Sequence, residues 1–397
     1  EAAEVGYEVY LVAQNPYLGG RVVQLKHYFP KLCPPTCGLE INFKRIKDNP
    51  KIKCFTLAEV ESISGGPGNY DVAVKLTPRY VNEKCTCCGE CAKASNTEIS
   101  DEFNFGMGTH KGAYLPHQMS FPMRYVLSPQ IIGTDDAKRC QDACKYDAID
   151  LDMQPKTINL KVGAIIWATG WKPYDASKMD KLGFQYANVV TNMMLERLAA
   201  INGPTGGKIL RPSDNKEVSS VAFVQCAGSR DENHLPYCSY ICCMASLKHA
   251  NYLREQYPDA KVYIFYIDVR APGQRYEKFY RNVKTDENVF FIKGKVAEVN
   301  EDPDTKNITV VAENAVTGEK VEQTVDMAVL ATGMVPNTAD VKLPGGVKCD
   351  PDGFIVSDLS QGGMFATGCA VKPLDVMSSN QHATGTALKA IQTLVSS

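Results

Sequence analysis

Short apolar runs of strand length recur along the chain, separated by polar turns and by a few stretches with helical spacing. Val9-Tyr-Leu-Val12, Leu57-Ala-Glu-Val60, Ser219-Ser-Val-Ala-Phe-Val-Gln225, Val162-Gly-Ala-Ile-Ile-Trp-Ala-Thr-Gly170 and Asp326-Met-Ala-Val-Leu-Ala-Thr-Gly333 all read as strands. The last two are apolar with little alternation, as expected of strands covered on both faces. Tyr237 to Leu253 is a loop that turns into an amphipathic helix, and another helix is expected from about Ser378 to Val395. Glu1 to Val12 reads as the last turn of a helix, a glycine stop at Gly6 and a short strand, so the pattern enters a strand-helix-strand unit midway. Buried strands alternating with helices give an α/β class. Phe265, Tyr266, Phe290 and Phe291 lie on strand-like runs and are expected to fill cores.

With 397 residues the chain is long enough for two or three domains, each with a core of its own. Its 43 Lys and Arg nearly balance 45 Asp and Glu, for a formal charge of -2, which leaves no electrostatic footprint for nucleic acid or an anionic membrane surface. No apolar run reaches the roughly 18 residues needed to cross a bilayer, and the start lacks the basic-then-apolar pattern of a signal peptide. A soluble, intracellular protein is expected. The anomaly is the 15 cysteines. They cluster at Cys85, Cys87, Cys88 and Cys91, at Cys140 and Cys144, and at Cys226, Cys238, Cys242 and Cys243, which points to metal or redox chemistry before disulfide staples.

Cys85-x-x-Cys88-x-x-Cys91 has the spacing of half a bacterial ferredoxin motif, and Cys140-Gln-Asp-Ala-Cys144 that of the tail of a second, with Lys145 where proline is common. In a two-cluster ferredoxin the last cysteine of one motif ligates the other motif's cluster. Cys85, Cys88, Cys91 and Cys144 thus complete one 4Fe-4S ligand set, whereas a second would need Ser95, Thr134, Ala137 and Cys140 and has lost its ligands. Cys87 and Cys140 are then spare thiols. Zinc remains the rival at the retained site, because four thiolates at such spacings suit both metals. In the third group Cys238 and Cys242 share a helical face and Cys243 points away, so the thiols converge only where loop turns into helix. There the helix dipole offsets part of the negative charge of thiolates. Cys226, at the end of the neighbouring strand, supplies a fourth ligand to an iron-sulfur cluster in an unusual motif, with plain buried cysteines or zinc as the alternatives.

Other segments point to a flavin. The strands ending in Thr169-Gly170 and Thr332-Gly333 correspond to the domain crossings of flavoproteins with two dinucleotide-binding domains. Gly19-Gly20-Arg21 is a turn that lets backbone approach a phosphate or ribityl chain. Gly353-Phe-Ile-Val, Gly363-Met-Phe-Ala-Thr-Gly-Cys369 and the helix after them resemble the second flavin motif of those proteins, with Cys369 where Asp is usual, and Val60 lies on a strand of the kind that offers backbone to adenine. The expected FAD residues are Gly19, Gly20, Arg21, Val60, Thr169, Gly170, Gly368 and Cys369, with an unliganded α/β core as the alternative. Ala13-Gln14 stand where an acidic ribose ligand is usual, and the first strand with its G-x-G-x-x-G turn is not seen. Ser219 to Gln225 runs into Cys226-Ala-Gly-Ser-Arg230 where a second glycine fingerprint would hold NAD(P)H, so nicotinamide binding is not expected.

Together, Cys226-Ala-Gly-Ser-Arg-Asp-Glu232, the Tyr237-Cys-Ser-x-x-Cys-Cys243 run, Gly19-Gly-Arg21 and the ferredoxin-like insertion resemble the A subunits of heterodisulfide reductases over nearly the whole chain. The degenerate insertion and Tyr28-Phe-Pro-Lys-Leu-Cys-Pro-Pro-Thr-Cys-Gly-Leu-Glu-Ile-Asn42 are more similar to a branch of that family, the A subunits of quinone-interacting membrane-bound oxidoreductase complexes. The resemblance implies a Rossmann-like, thioredoxin-reductase-like fold. Residues 1-80 and 331-397 would form the FAD-binding domain, 81-150 the ferredoxin-like insertion, 151-175 a crossover strand, and 176-330 a middle domain carrying an iron-sulfur site instead of NAD. It further implies a cytoplasmic protein held at the inner face of the membrane by two partners, a homologous B subunit plus a haem-containing membrane C subunit. Electrons would pass between the menaquinone pool and adenylylsulfate reductase in sulfate reduction. An electron-bifurcating component of a heterodisulfide-reductase-type complex, an NAD(P)H-dependent flavin disulfide reductase and a zinc-stabilised scaffold stay open as alternatives.

On this basis FAD exchanges electron pairs for single electrons and two 4Fe-4S clusters relay them, and no general acid or base is assigned. Cys33-Pro-Pro-Thr-Cys37 is either a redox or ligand pair or a rigid turn, since its prolines oppose a helix through it. Cys54 and Cys349 are expected as plain core residues. His27, His110, His117, His234, His249 and His382 show no paired spacing and are each expected to be satisfied or exposed.

Overall fold

The computed structural model describes residues 1-356 and 362-396. Its largest sheet is five-stranded and parallel, in the order Val189–Thr191, Met327–Thr332, Ser220–Ala227, Lys261–Tyr266 and Val289–Lys293. Every residue of Met327–Thr332 is buried, which is why its apolar run does not alternate. On one face lie the helices Asn192–Ala199, Cys242–Gln256 and Gln274–Lys284, whose Leu195, Leu247 and Phe279 pack with Phe223 and Val329. The other face is closed by an antiparallel sheet of Val296–Glu301, Ile308–Glu313 and Lys320–Val325, through Val299 and Val310 against Val224 and Leu330. Phe265 fills this core, but Phe290 does not: it is 39% exposed and stacks on Tyr263. Its strand, Val289–Lys293, is the edge of the sheet, and among the described residues no further strand pairs with it there.

Two further parallel pairs, Val9–Ala13 with Ile52–Thr56 and Ile165–Trp167 with Met364–Ala366, rest on one antiparallel sheet of Ala58–Gly66, Asn69–Leu76 and Lys156–Val162. Val12, Phe55, Ile165 and Met364 all pack on its Ala58, Tyr70, Val72 and Val74. Leu57 lies just outside the first of these strands because it turns at φ +53. The long C-terminal helix runs Val376–Ser396, about as its apolar spacing predicts. Between Leu76 and Lys156 the insertion folds round its own small core of Val81, Leu127, Ile131, Ala137 and Ile149. Among the described residues no helix is long and apolar enough to cross a membrane.

The pieces meet at Glu196 and Arg197. Glu196, 2% exposed, contacts the Lys248 ammonium and His249 Nε2 (2.6 Å) and accepts from the Lys26 backbone N–H (2.8 Å). Burial alone would raise its carboxyl, but Lys248 and His249 outweigh that and hold it at about 2. Burial, followed by the Arg197 charge, lowers His117 to about 4. Both groups sit below their unfolded values of roughly 4.3 and 6.5, so each contributes stability that is complete above the unfolded value and lost as pH falls through the folded one. Thermal unfolding midpoints are therefore expected to decline below about pH 6.5, and again below about pH 4.3. His117→Asn should make the first decline shallower, though not flat, because burial also lowers His27, His249 and His382, and should leave the second as it was; an unchanged profile would reject the assignment.

Candidate functional site

Cys85, Cys88, Cys91 and Cys144 line one pocket, with Val81, Tyr125, Tyr146 and Ile149 among its walls. Gly89, at φ +82, turns the chain so that the short helix Glu90–Ala94 begins between Cys88 and Cys91. Cys144 follows the helix Asp135–Asp142, and its sulfur accepts from the Ala148 backbone N–H (3.4 Å). Burial, then the neighbouring Cys140, pushes the Cys91 thiol up to about 12. Cys87 and Cys140 stand outside this wall, and Cys140 donates instead to the Cys91 carbonyl (3.4 Å).

The other ferredoxin position is filled with protein. Ser95 Oγ donates to Asp136 (2.7 Å) and accepts from the Gly112 N–H (3.0 Å). Thr134 caps the helix Asp135–Asp142, and Ala137 is fully buried. A Cβ on Gly112 would stand 2.6 Å from Ile131 Cγ2 and 2.9 Å from Ser95 Oγ. Side chains thus fill the space where a second ligand set would lie.

In the middle of the chain Cys226 sits at φ +57 where the pairing of Ser220–Ala227 with Met327–Thr332 skips register. Cys242 and Cys243 open the helix Cys242–Gln256, and Cys238 lies in the loop before it. No side chain caps that helix start, which leaves its first N–H groups available to negative charge. Burial first, and then the nearby Cys243, Cys226 and Cys238, raise Cys242 well above the ordinary thiol range. Burial also takes Cys243 to about 11. Among the described residues no three His, Cys, Asp or Glu side chains converge on one point as ligands of a single ion do.

The residues expected to hold a flavin come together at the carboxyl end of Ile165–Trp167. Arg21 Nε donates to the Trp171 carbonyl (3.2 Å), which joins the Gly19-Gly20-Arg21 turn to Thr169-Gly170. Gly19 sits at φ +108, where a Cβ would stand 2.4 Å from Val23 Cγ1, so it needs the freedom that glycine gives, and Gly20 follows at φ +53. Thr367 donates its N–H to the Trp167 carbonyl (2.9 Å), which brings in Gly368 and Cys369, and Val60 packs with Trp167, Ala366 and Ala370. Cys369, in the usual Asp position, donates to the Leu374 carbonyl (3.3 Å). Thr169 Oγ1 and Trp167 Nε1 are buried there without a partner. Orphaned polar atoms outside the carboxyl ends of parallel strands fit a nucleotide cofactor.

Several groups escaped the sequence reading. The Glu196, Lys248 and His249 cluster is buried although Lys248 and His249 look like an ordinary polar stretch of helix. His27 Nδ1, His117 Nε2 and His249 Nδ1 are buried and unpaired, against the expectation of satisfied or exposed histidines. Cys33 and Cys37 are exposed, with Cys37 in the first turn of the helix Pro35–Asp48. Cys349 is exposed rather than a core residue, because its stretch makes only an isolated bridge to Ile355.

No protein-family model matches the chain. Curated relatives do: the second iron-sulfur A subunit of CoB–CoM heterodisulfide reductase from Methanopyrus kandleri is 38% identical over 99% of this chain and 62% of its own length. The corresponding iron-sulfur A subunit from Methanocaldococcus jannaschii is 38% identical over 98% of this chain and 61% of its own. The chain thus spans about three fifths of the length of these relatives. Among solved structures, thioredoxin reductase of Lactococcus lactis aligns with a TM-score of 0.53 at 13% identity, covering 100% of this chain and 94% of that one. The fold is thioredoxin-reductase-like, with two dinucleotide-binding domains.

Proposed function

Because the chain belongs to the family of heterodisulfide reductase A subunits across the region it shares with those relatives, we propose that it is a flavin and iron-sulfur electron-transfer component of an oxidoreductase complex. Cys85, Cys88, Cys91 and Cys144 would hold one 4Fe-4S cluster, and Cys226, Cys238, Cys242 and Cys243 another. Gly19, Gly20, Arg21, Val60, Thr169, Gly170, Gly368 and Cys369 would hold FAD. When bound, these groups exchange electron pairs for single electrons and pass them on. The chain's own part is to supply thiolates, to cover them with apolar walls and to fix the dipoles around them. The observation that carries this reading is that Cys144, remote in sequence, completes the wall begun by Cys85, Cys88 and Cys91.

The FAD domain would comprise residues 1-80 and 331-397 with the crossover strand in 151-175, the insertion 81-150 and the middle domain 176-330. The pairs Val9–Ala13 with Ile52–Thr56 and Ile165–Trp167 with Met364–Ala366 share a supporting sheet without pairing to each other. Two destinations for the electrons are open. The Tyr28 to Asn42 segment supports a complex held at the membrane by homologous B and haem-containing C subunits, linking menaquinone to adenylylsulfate reductase. The 38% identity to proteins named for heterodisulfide reductase supports at least equally a heterodisulfide-reductase-type complex whose flavin bifurcates electrons.

Anaerobically purified protein is expected to contain flavin and matched iron and sulfide, with no stoichiometric zinc. NADPH should fail to bleach the flavin, since Cys226-Ala-Gly-Ser-Arg230 stands where the nicotinamide glycines would be. Zinc in place of iron, or rapid bleaching, would overturn the proposal.

A further inference from the structure

We propose that Arg79 is a positioning residue that ties the Gly19-Gly20-Arg21 turn to the wall of the Cys85, Cys88, Cys91 and Cys144 pocket, so that filling either site strengthens binding at the other. The proposal rests on the reading of the turn as a flavin site and of the pocket as a cluster site. Arg79 is 6% exposed, yet the hydrogen-bond partners of its guanidinium are all neutral oxygens. A buried cation that faces no anion is costly to keep. Its bonds point in two directions, and each leads to one of the two sites.

Toward the pocket, Nη1 donates to the carbonyls of Arg124 (3.1 Å) and Tyr125 (3.4 Å). Tyr125 lines that pocket, and a Cβ on Gly89 there would stand 3.4 Å from its hydroxyl. Toward the turn, Nη2 donates to the Pro16 carbonyl and to Thr56 Oγ1 (3.0 Å), at the carboxyl ends of the paired strands Val9–Ala13 and Ile52–Thr56. From Pro16 the chain runs into Gly19-Gly20-Arg21, and the insertion grips this run twice more. Leu18 N–H donates to the Phe121 carbonyl (2.9 Å) and Gln24 Nε2 to the Phe103 carbonyl (2.8 Å), while the Tyr17 ring stands edge-on to His117 at 4.9 Å. The planar guanidinium fork serves both directions at once, which a single ammonium cannot. Four thiolates outweigh the charge of a 4Fe-4S core, so a filled pocket supplies the negative charge that Arg79 lacks and favours the arrangement in which its fork is closed. A turn held by bound flavin fixes Pro16, and through Arg79 the backbone of Tyr125. The effect of each site on affinity at the other is necessarily reciprocal.

The test is a double-mutant cycle on the affinity for FAD, measured by equilibrium dialysis on the full chain, purified anaerobically and freed of flavin. Cys88→Ser, which empties the pocket, is expected to weaken FAD binding at least about fivefold, the lower end of ordinary coupling between sites. In the Arg79→Gln background the same Cys88→Ser change should weaken it less than about twofold, because the tie is already cut. Arg79→Lys, which keeps the charge without the fork, should retain only part of the coupling. An equal effect of Cys88→Ser with and without Arg79, or no effect of Cys88→Ser at all, would overturn the proposal. If Arg79→Gln fails to fold, Thr56→Val decides: it removes one partner on the side of the turn, and an undiminished effect of Cys88→Ser in that background overturns the proposal. An unaltered protein that binds no FAD, or that holds no more iron than Cys88→Ser, would instead remove the flavin or the cluster reading itself, an outcome distinct from two filled sites that ignore each other.

Discussion

Cys88→Ser is expected to abolish one EPR signal of the reduced protein and to leave a second intact, and Cys226→Ser to do the reverse. The two proposed ligand sets are separate: one lines a pocket inside the insertion, and the other lies at the end of Ser220–Ala227 and about the start of Cys242–Gln256. If each set holds one four-iron cluster, as proposed, each substitution should remove roughly half of the bound iron. Serine keeps the volume of cysteine and a polar head, so the apolar surroundings of each site have no reason to collapse. Cys87→Ser and Cys140→Ser are the matching controls, since neither residue stands in the pocket wall and both should retain full iron. One signal surviving both Cys88→Ser and Cys226→Ser, or a large iron loss in Cys87→Ser, would reject the ligand sets. Iron lost from both sites in either single variant would mean that the sites are not independent.

What the sequence made legible was local. The Cys85, Cys88 and Cys91 spacing, the Ala-Thr-Gly strand ends and the left-handed glycines at 19 and 20 are short patterns whose meaning follows from backbone geometry over a few residues. The missing ligands at Ser95, Thr134 and Ala137 were equally readable, but what filled their place was not. Ile131 packing toward Gly112 and the bond from Ser95 to Asp136 are contacts between distant parts of the insertion. The same limit misplaced Phe290, because an apolar strand gives no sign of whether it ends up inside a sheet or at its edge. Lys248 and His249 were missed for a converse reason. Helical spacing places them, but only the tertiary fold supplies Glu196, which makes their burial tolerable.

Arg197→Ala is expected to destabilise the protein by about 3–5 kcal/mol, the loss when several buried acceptors are left without a donor at roughly 1–3 kcal/mol each. Arg197 is completely buried and donates to Asn104 Oδ1 (2.7 Å), the Gln24 carbonyl (3.0 Å), and the carbonyl and Oδ1 of Asn202 (3.0 and 2.8 Å), with the Phe103 ring 4.7 Å from its guanidinium. These partners belong to the insertion, the segment after the Gly19-Gly20-Arg21 turn, and the loop after the helix Asn192–Ala199. Alanine therefore leaves buried acceptors unpaired at a junction of three chain segments, whereas lysine keeps a charge but not the fork that reaches all of them. Denaturant midpoints should fall strongly for Arg197→Ala and less for Arg197→Lys, and limited proteolysis should cut first within 81-150. Equal midpoints in the two variants would refute the argument from fork geometry. Cofactor content should divide along the same line: the pocket of Cys85, Cys88, Cys91 and Cys144 lies wholly inside the insertion and should keep its iron. The Arg21 turn, tied to Gln24 through a bond from Arg21 to its side chain (3.1 Å), would lose a support, and flavin affinity should drop. Loss of iron with retention of flavin would place the damage on the wrong side of the junction.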